Sequence, residues 1–359
     1  MCRWITFLSS DDMSLSDLVL TASNSLVKMS YNAGYHPGFG PTNNSLFNGD
    51  GFGVGWYHAY SVEPALFKDI LPAWSDSNLR EVCKATRAKI IMAHVRAASP
   101  GSVVSRENCH PFKVGRLMYC HNGRIDGFWK IRRQMLESLT EEAYLSVRGT
   151  TDSEVAFAMI LSNLMKDGGE SPFTQKTPFG HDRLAAAMEL TIQQIVNFSD
   201  SCDKKEFTRG FSTLNFALTD GETVIMSRFC DKDPNIPPPS LYFAFGEAEM
   251  IHRILGHGDA TPAGPGDGAP MTRAEINKRI EDAMKDPTPL VHQESFNEYE
   301  DFVQEWLGRP TDKCAFVVSS DPLTFSKTLW HPVPANSILW CDKGKFPGMK
   351  LIEMQPVVG

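Results

Sequence analysis

Residues 1–8 read MCRWITFL, which places a cysteine directly after the initiating methionine. Removal of Met1 would leave Cys2 at the N-terminus, with a free α-amino group beside its thiol. Unperturbed pKa values are about 7.7–8.0 for the amine and about 8.5 for the thiol, so the amine can take the thiol proton. The stretch predicts an N-terminal nucleophile at the start of a β-strand over residues 3–8, with an incidental small residue as the alternative.

Composition limits the function classes that the chain can serve. Its 359 residues carry a formal net charge of −8, which argues against a general nucleic-acid surface. No apolar run approaches the roughly 20 residues of a membrane span, and the N-terminus does not resemble a signal peptide. Eight cysteines without a C-x-x-C motif are typical of a reducing compartment. We therefore expect a soluble, cytoplasmic protein.

Periodicity and turn residues predict strands in two groups with long helices between them. Predicted strands, after the first, cover residues 54–57, 65–70, 89–96, 117–120, 214–219, 223–228, 241–245, 315–319, 337–341 and 350–354. Predicted helices cover residues 15–30, 78–86, 128–139, 153–165, 183–198 and 272–284. The Gly/Pro/Ala-rich segment 256–270 is interpreted as a flexible insertion. This order favours two stacked sheets covered by helices.

The segment AHVRAAS, residues 93–99, ends an apolar strand with Arg96. Arginine at a strand end can present its planar guanidinium to a carboxylate. The alternative for a lone arginine is a surface ion pair.

The triplet His121-Asn122-Gly123 follows the apolar run at 117–120. An Asn-Gly pair after a buried strand supplies a side-chain amide and a glycine N–H in a turn that a ligand can approach closely. These are the donors that an oxyanion hole needs. A plain Asn-Gly turn is the alternative.

The segment GTTDSE, residues 149–154, directly precedes a helical pattern. The carboxylate of Asp152 could bind a substrate ammonium group. Either Asp152 or Thr151 could instead serve as the N-cap of the helix.

Together, and in this order, these segments resemble the class II glutamine amidotransferases. The shared features are the N-terminal cysteine, the Gly-rich Asp-Gly turn at 48–53, the strand-end arginine, the H-N-G triplet and the T-D-S-E helix start. The resemblance implies an α+β fold, the four-layer αββα sandwich of N-terminal-nucleophile hydrolases. It also implies one domain over residues 2–359 that contains the insertion at 256–270.

Site residues follow from the same resemblance. It implies three positions for the chemistry: Cys2 as nucleophile, and Asn122 with Gly123 as the oxyanion hole. It implies four positions for the γ-glutamyl end of a substrate: Arg96 with Ser99 for the α-carboxylate, Asp152 for the α-amino group, and His110, in an N-x-H-P stretch, as a pocket residue.

Neither a cofactor nor a metal ion is expected. Two Cys-His pairs, at 109–110 and 120–121, raise the question of zinc. Neighbouring strand residues point to opposite faces, so neither pair can easily place both side chains on one ion.

Three further stretches resemble a subgroup of the family, the amidotransferase-like subunits of fungal glutathione-degradation complexes. They are NGDGFGVGWY at 48–57, LFKDILPAW at 66–74 and SSDPLTFSKTLWHPVPANSIL at 319–339. This resemblance implies hydrolysis of a γ-glutamyl amide, in glutathione or a related peptide, through a γ-glutamyl thioester, together with a metallopeptidase-like partner subunit. The alternatives are an ergothioneine-pathway type of γ-glutamyl amidohydrolase, a glutaminase subunit that supplies ammonia to a separate synthase, and a non-catalytic binding subunit.

Overall fold

Two antiparallel β-sheets lie face to face in the computed structural model of the chain, and helices cover their outer faces. The structure describes residues 2–33, 47–99, 102–201, 210–231, 238–257, 296–324, 326 and 329–354. The predicted helix at 272–284, and the insertion from residue 258 onward, lie outside these residues.

The first sheet has seven strands in the order β11-β9-β10-β1-β4-β2-β3. Its strands are β1 Arg3–Ser14, β2 Phe52–Trp56, β3 Ala65–Asp69, β4 Arg87–Val95, β9 Tyr242–Glu247, β10 Cys314–Ser319 and β11 His331–Pro332. The N-terminal strand β1 therefore occupies the centre of its sheet. Strands from both halves of the chain flank it.

The second sheet has six strands in the order β13-β12-β8-β7-β6-β5. Its strands are β5 Phe112–Val114, β6 Leu117–Arg124, β7 Thr213–Thr219, β8 Thr223–Arg228, β12 Ser337–Asp342 and β13 Gly348–Leu351. Every neighbouring pair in both sheets is antiparallel.

The described helices are α1 Leu26–Tyr31, α2 Ser77–Ala85, α3 Phe128–Glu137, α4 Glu141–Ser146, α5 Asp152–Lys166, α6 His181–Asp200, α7 Ala248–His257 and α8 Phe296–Trp306. The first seven fall into two outer layers, whereas α8 contributes Phe302 to the buried cluster between the two sheets. None of the helices in the described part of the chain is long and apolar enough to cross a membrane.

Three buried clusters define the layers. One lies between the two sheets and contains Trp4 and Leu8 from β1. A second packs α1, α2 and α7 on the first sheet and contains Ile5 and Phe7 from the same strand. A third packs α3, α5 and α6 on the second sheet. Alternate residues of β1 thus face opposite layers, as the two-residue period of a strand requires. The predicted αββα sandwich is confirmed.

Several predicted elements differ from the structure. The helix predicted over 15–30 is a π-helical turn at Asp17–Thr21 followed by α1, because Ala22 leaves the helical conformation between them. The strand predicted over 117–120 continues to Arg124, since its pairing with β7 extends that far. The expected insertion begins inside a helix, because residues 256 and 257 are the last residues of α7. Sequence reasoning missed five elements: β5, β11, α4, α7 and α8.

Candidate active site

The candidate site lies at the end of the first sheet where β1 begins and β4 ends. Arg3 pairs with Val95 in the ladder, so Cys2 and Arg96 lie just beyond the paired residues on adjacent strands. Side chains alternate along a strand, and Trp4 faces the gap between the sheets. Cys2 therefore continues the face of β1 that lies against the second sheet.

The half-buried thiol of Cys2 contacts the backbone of Ala97. The Ala97 N–H donates to Sγ at 3.3 Å, and Sγ lies 3.6 Å from the Ala97 carbonyl oxygen. Burial raises the pKa of the Cys2 thiol, and the hydrogen bond from Ala97 and the charge of Arg96 oppose this rise. The thiol consequently stays protonated near neutral pH unless a base acts on it.

Arg96 is 3% exposed and has one guanidinium nitrogen without a partner. Its Nη2 donates to Ser102 Oγ at 2.7 Å, whereas Nη1 is buried and makes no hydrogen bond among the described residues. A buried cationic donor without an acceptor is costly, so this geometry favours an anionic ligand at Nη1. Ser99 is exposed, and the serine that contacts Arg96 is its neighbour Ser102.

The Asp-Gly turn at 48–53 holds the segment that follows β4. The Arg96 N–H donates to the Gly51 carbonyl at 2.8 Å, and the Asp50 N–H donates to the Arg96 carbonyl at 3.0 Å. The Asp50 carboxylate accepts from the Ala98 N–H at 2.8 Å. These bonds fix residues 96–98, and with them the amide that contacts the Cys2 thiol.

The structure corrects the predicted turn at Asn122 and Gly123. Both lie inside strand β6, opposite Asn215 and Leu214. Asn122 is 1% exposed, and its buried Oδ1 has no hydrogen-bond partner in the part of the chain that the structure describes. A Cβ on Gly123 would lie 1.8 Å from the carbonyl oxygen of Thr213, so no larger residue fits.

His121 joins this strand to helix α5. Its Nε2 lies 3.0 Å from the Thr213 carbonyl, and its Nδ1 lies 2.9 Å from Ser153 Oγ. A carbonyl only accepts, so Nε2 carries the proton and Nδ1 accepts from the serine hydroxyl. Burial lowers the pKa of His121, which keeps the ring neutral.

Asp152 is the first residue of α5, and Thr151 is the N-cap. Thr151 Oγ1 accepts from the Glu154 N–H at 3.2 Å. The Asp152 carboxylate accepts from the Ile125 N–H at 2.8 Å and the Ser153 N–H at 2.7 Å. Each oxygen keeps lone-pair capacity for another donor. Asp152 therefore supports the end of β6 and can also accept a bond from a ligand ammonium.

His110 is 3% exposed and pairs with His94 on β4. His110 Nδ1 lies 2.9 Å from His94 Nε2, and the His110 ring packs edge-on against Phe112. Burial lowers the pKa of His94 to about 3 and holds the pKa of His110 well below its usual value. Both buried rings are therefore neutral near pH 7, and they contact each other between the two sheets.

Sequence reasoning missed three residues that shape this site: Asp50, Ser102 and Asn108. Asn108 Oδ1 accepts from the Thr150 N–H at 2.9 Å, and its Nδ2 donates to the Val103 carbonyl at 2.9 Å. The only sequence signals were the Asp-Gly turn and the N-x-H-P stretch, neither of which identifies these bonds. In the described ranges, no group of three or more His, Cys, Asp or Glu side chains could hold a metal ion.

Four layers, with β1 starting at Arg3 in the centre of the first sheet, define the αββα sandwich of the N-terminal-nucleophile hydrolases. A solved structure of a glutamine aminotransferase class-II domain protein from Silicibacter pomeroyi has a similar fold. Its TM-score is 0.54 at 20% sequence identity, over 97% of each chain. Residues 16–199 match the family model of class-II glutamine amidotransferases. The chain belongs to the class II glutamine amidotransferases.

Two relatives show the same kinship at higher identity. The chain is 32% identical over 347 residues to the Probable glutamine amidotransferase DUG3 of Saccharomyces cerevisiae, covering 96% of this chain and 82% of the yeast protein. It is 31% identical over 162 residues to the gamma-glutamyl-hercynylcysteine sulfoxide hydrolase of Mycolicibacterium smegmatis, covering 45% of this chain and 63% of that enzyme. The chain is a hydrolytic enzyme of the class II type, and hydrolysis of γ-glutamyl amides is its general activity.

Proposed function

We propose that Cys2, freed by removal of Met1, hydrolyses the γ-glutamyl amide bond of glutathione or a related γ-glutamyl peptide. One observation carries the proposal: the Cys2 thiol accepts a hydrogen bond from the amide of Ala97, the neighbour of Arg96, whose buried Nη1 has no acceptor among the described residues. A nucleophile and an unused carboxylate-binding donor therefore occupy adjacent strand ends. The family model matches residues 16–199, which do not include Cys2. The proposed role of Cys2 therefore rests on this geometry and on the resemblance of the sequence motifs.

The substrate's γ-glutamyl end carries one carboxylate and one ammonium group. Arg96 would bind the carboxylate through Nη1, with Ser99 at the exposed rim of the same segment. Asp152 would accept from the ammonium group with the lone pairs that the Ile125 and Ser153 amides leave free. His110 would support the pocket wall as a neutral ring rather than take part in proton transfer.

In the first step, the α-amino group of Cys2 takes the thiol proton and the thiolate attacks the amide carbonyl carbon. A base is needed because burial raises the pKa of the Cys2 thiol. The oxyanion forms beside Asn122 and Gly123, whose side-chain amide and backbone N–H would donate to it. Collapse of this intermediate breaks the C–N bond, and the amine leaves with the proton held by the terminal ammonium. A γ-glutamyl thioester on Cys2 remains.

In the second step, the α-amino group takes a proton from water as the water oxygen attacks the thioester. The same oxyanion site receives the negative charge. The C–S bond breaks, the thiolate regains its proton, and glutamate is released.

We also propose that the enzyme works as one catalytic domain with a metallopeptidase-like partner subunit. Strands from both halves of the chain enter each sheet, which supports a single domain. Four exposed apolar residues lie on loops joined to the site, and a covering protein surface would bury them: Ile70, Leu71, Val103 and Val104. Six described cysteines form no disulfide, which supports the reducing cytosol as the compartment: Cys2, Cys83, Cys109, Cys120, Cys314 and Cys341.

A second candidate is a γ-glutamyl amidohydrolase that acts alone on a cysteine-histidine conjugate. The partial match to the mycobacterial sulfoxide hydrolase favours it. The two candidates share the γ-glutamyl end and differ in the amine that leaves.

The test is to incubate the mature protein with glutathione, glutamine and γ-glutamyl dipeptides and to quantify the glutamate released. Brief acid quenching followed by intact mass should detect a γ-glutamyl adduct on the N-terminal peptide. Release of glutamate from none of these substrates by a folded, Met1-free preparation would contradict the proposal. Activity that rises when co-purifying proteins are added back would support a partner.

A further inference from the structure

The nucleophile lies at a position where a chain end normally frays. Cys2 precedes β1, and the first paired residues in the ladder with β4 are Arg3 and Val95. Terminal residues are poorly ordered unless other contacts tie them down. The thiol's contacts with Ala97, at 3.3 and 3.6 Å, involve sulfur, a weak hydrogen-bonding atom. The backbone of Cys2 needs a stronger anchor.

Arg3 provides such an anchor from a buried ion pair. Its Nη1 donates to the carbonyl oxygen of Cys2 at 3.0 Å. Its Nε donates to Asp321 Oδ2 at 2.5 Å, and the two side chains are only 2% and 0% exposed. Ser240 Oγ donates to the other carboxylate oxygen of Asp321 at 3.0 Å. The guanidinium therefore joins the Cys2 backbone to a carboxylate that is itself held in place.

The carboxylate is fixed relative to β1 by the neighbouring strand. Asp321 comes two residues after β10, which pairs with β1 from Ile5 opposite Ser319 onward. The Ser320 N–H donates to the Trp4 carbonyl at 3.0 Å, and Ser320 Oγ accepts from the Trp4 N–H at 3.1 Å. The segment that follows β10 thus reaches the start of β1 with a defined register.

We propose that Arg3 is a positioning residue, which holds the carbonyl of Cys2 and so orients the thiol and the α-amino group for catalysis. The inference rests on the proposed role of Cys2 as nucleophile. It also makes the site depend on Asp321 and Ser240, which lie outside the segment that matches the family model.

Guanidinium chemistry suits this task better than an ammonium group. Arginine presents several N–H donors in a fixed plane, so one side chain can bond the carboxylate and the carbonyl at the same time. A lysine carries a point charge on a flexible side chain. Because the site is buried, its ammonium group would bond to the Asp321 carboxylate in preference to the Cys2 carbonyl. Arg3→Lys should keep the charge balance and lose the hold on Cys2.

Stability and positioning can be separated by design. Removing one member of a buried ion pair leaves an uncompensated charge and destabilises the fold, whereas replacing both members with apolar residues of similar size is often neutral. We would therefore compare Arg3→Lys with the double variant Arg3→Met/Asp321→Leu. Ser240→Ala, which loosens the carboxylate without burying a charge, gives a third and milder change.

A matched control exists between helix α6 and the end of α5. Arg183 Nε donates to Asp167 Oδ2 at the same distance, 2.5 Å, although this pair is more exposed. Arg183→Met should lower the melting temperature without affecting Cys2. Each variant is assayed for kcat and KM on a γ-glutamyl substrate, for melting temperature, and for the pH profile of Cys2 alkylation by iodoacetamide, mapped by mass spectrometry.

For Arg3→Lys and the double variant we expect kcat to fall by about 10²-fold with little change in KM, as for a displaced reacting group. The alkylation profile of Cys2 should shift in both, and Ser240→Ala should lie between them and the wild type. A wild-type kcat and alkylation profile in the folded double variant, or in Ser240→Ala if the others do not fold, would overturn the proposal. Alkylation needs no substrate, so an inactive wild-type enzyme would refute the proposed function while this test still reads out positioning.

Discussion

The backbone N–H of Ala97 donates to the Sγ of Cys2, so the segment that carries Arg96 also contacts the proposed nucleophile. Beyond the end of β4, the backbone amide of Ala97 contacts the thiol, and the preceding residue is Arg96, whose guanidinium we propose to bind a substrate carboxylate. In the proposed function, substrate binding and thiol chemistry are joined through these two consecutive residues, Arg96 and Ala97. The experiments below separate these two contributions.

Cys2→Ala should abolish hydrolysis, and Cys2→Ser should lose most of it, because a hydroxyl is far harder to deprotonate than a thiol. Intact mass should show that Met1 is absent from the active protein. Cys83→Ala is the control, since burial raises the pKa of Cys83 to about 12 and this thiol lies on α2. A fully active preparation that retains Met1 would contradict the role of the free amine.

Arg96→Lys should lower kcat/KM mainly through KM, by about 2–4 kcal/mol of transition-state stabilisation. The lysine keeps the positive charge but loses the planar pair of donors. One of these donors, Nη1, makes no hydrogen bond to the described residues and is the proposed contact to the substrate carboxylate. Ser102→Ala is the matched control, because it removes only the partner of Nη2. An unchanged KM of the Arg96→Lys variant for γ-glutamyl substrates would show that Arg96 does not bind the substrate carboxylate.

Asn122→Ala should act differently from the change at Arg96. It deletes a donor that matters most when the oxyanion forms, so kcat should fall by roughly 10²–10³-fold with little change in KM. Steady-state kinetics on the same substrate decide the matter. An effect confined to KM would show that Asn122 binds the ground state and is not part of an oxyanion hole.

Asp50→Ala should loosen the segment that holds the thiol, since its carboxylate accepts from the Ala98 N–H. We expect kcat/KM to fall by about 10- to 100-fold, or about 1.4–2.8 kcal/mol. Asp50→Asn keeps an accepting oxygen and should restore much of the loss. If the asparagine variant were as impaired as the alanine variant, the charge of Asp50 rather than its hydrogen bond would be responsible.

Acid should destabilise the fold through the buried histidine pair. His94 and His110 have folded-state pKa values below that of an unfolded histidine, so the unfolded chain binds more protons as the pH falls below about 6.5. The contribution of the two histidines to the free energy of unfolding is therefore fully present above this pH and decreases below it. For His94 the loss at pH 5 is about 2 kcal/mol.

Urea unfolding at pH 7.5 and pH 5.0 measures this loss. His94→Gln should narrow the difference between the two conditions, whereas the exposed His58→Gln should leave it unchanged. An equal pH dependence in wild type and His94→Gln would mean that other groups dominate acid unfolding.

Much of the fold could be read from local patterns. The largely apolar run at residues 4–8 predicted β1, and helical periodicity located α2, α3, α5 and α6 within a few residues. These predictions succeeded because residues of one element share a layer, and the pattern of burial repeats along the chain. The candidate site residue Cys2 was found from its position directly after Met1, and Arg96 was found from its position at the end of an apolar strand.

What the sequence by itself determined, then, is the set of strands and helices and the residues at their ends that can carry the chemistry. Tertiary structure alone decided that Asn122 and Gly123 lie in a strand, because β7 extends the pairing past residue 120. It alone joined Arg3 to Asp321, two residues from opposite ends of the chain. Local periodicity records which face of an element is buried. It carries no information about which distant polar group lies opposite, since that depends on strand order and register across the whole sheet.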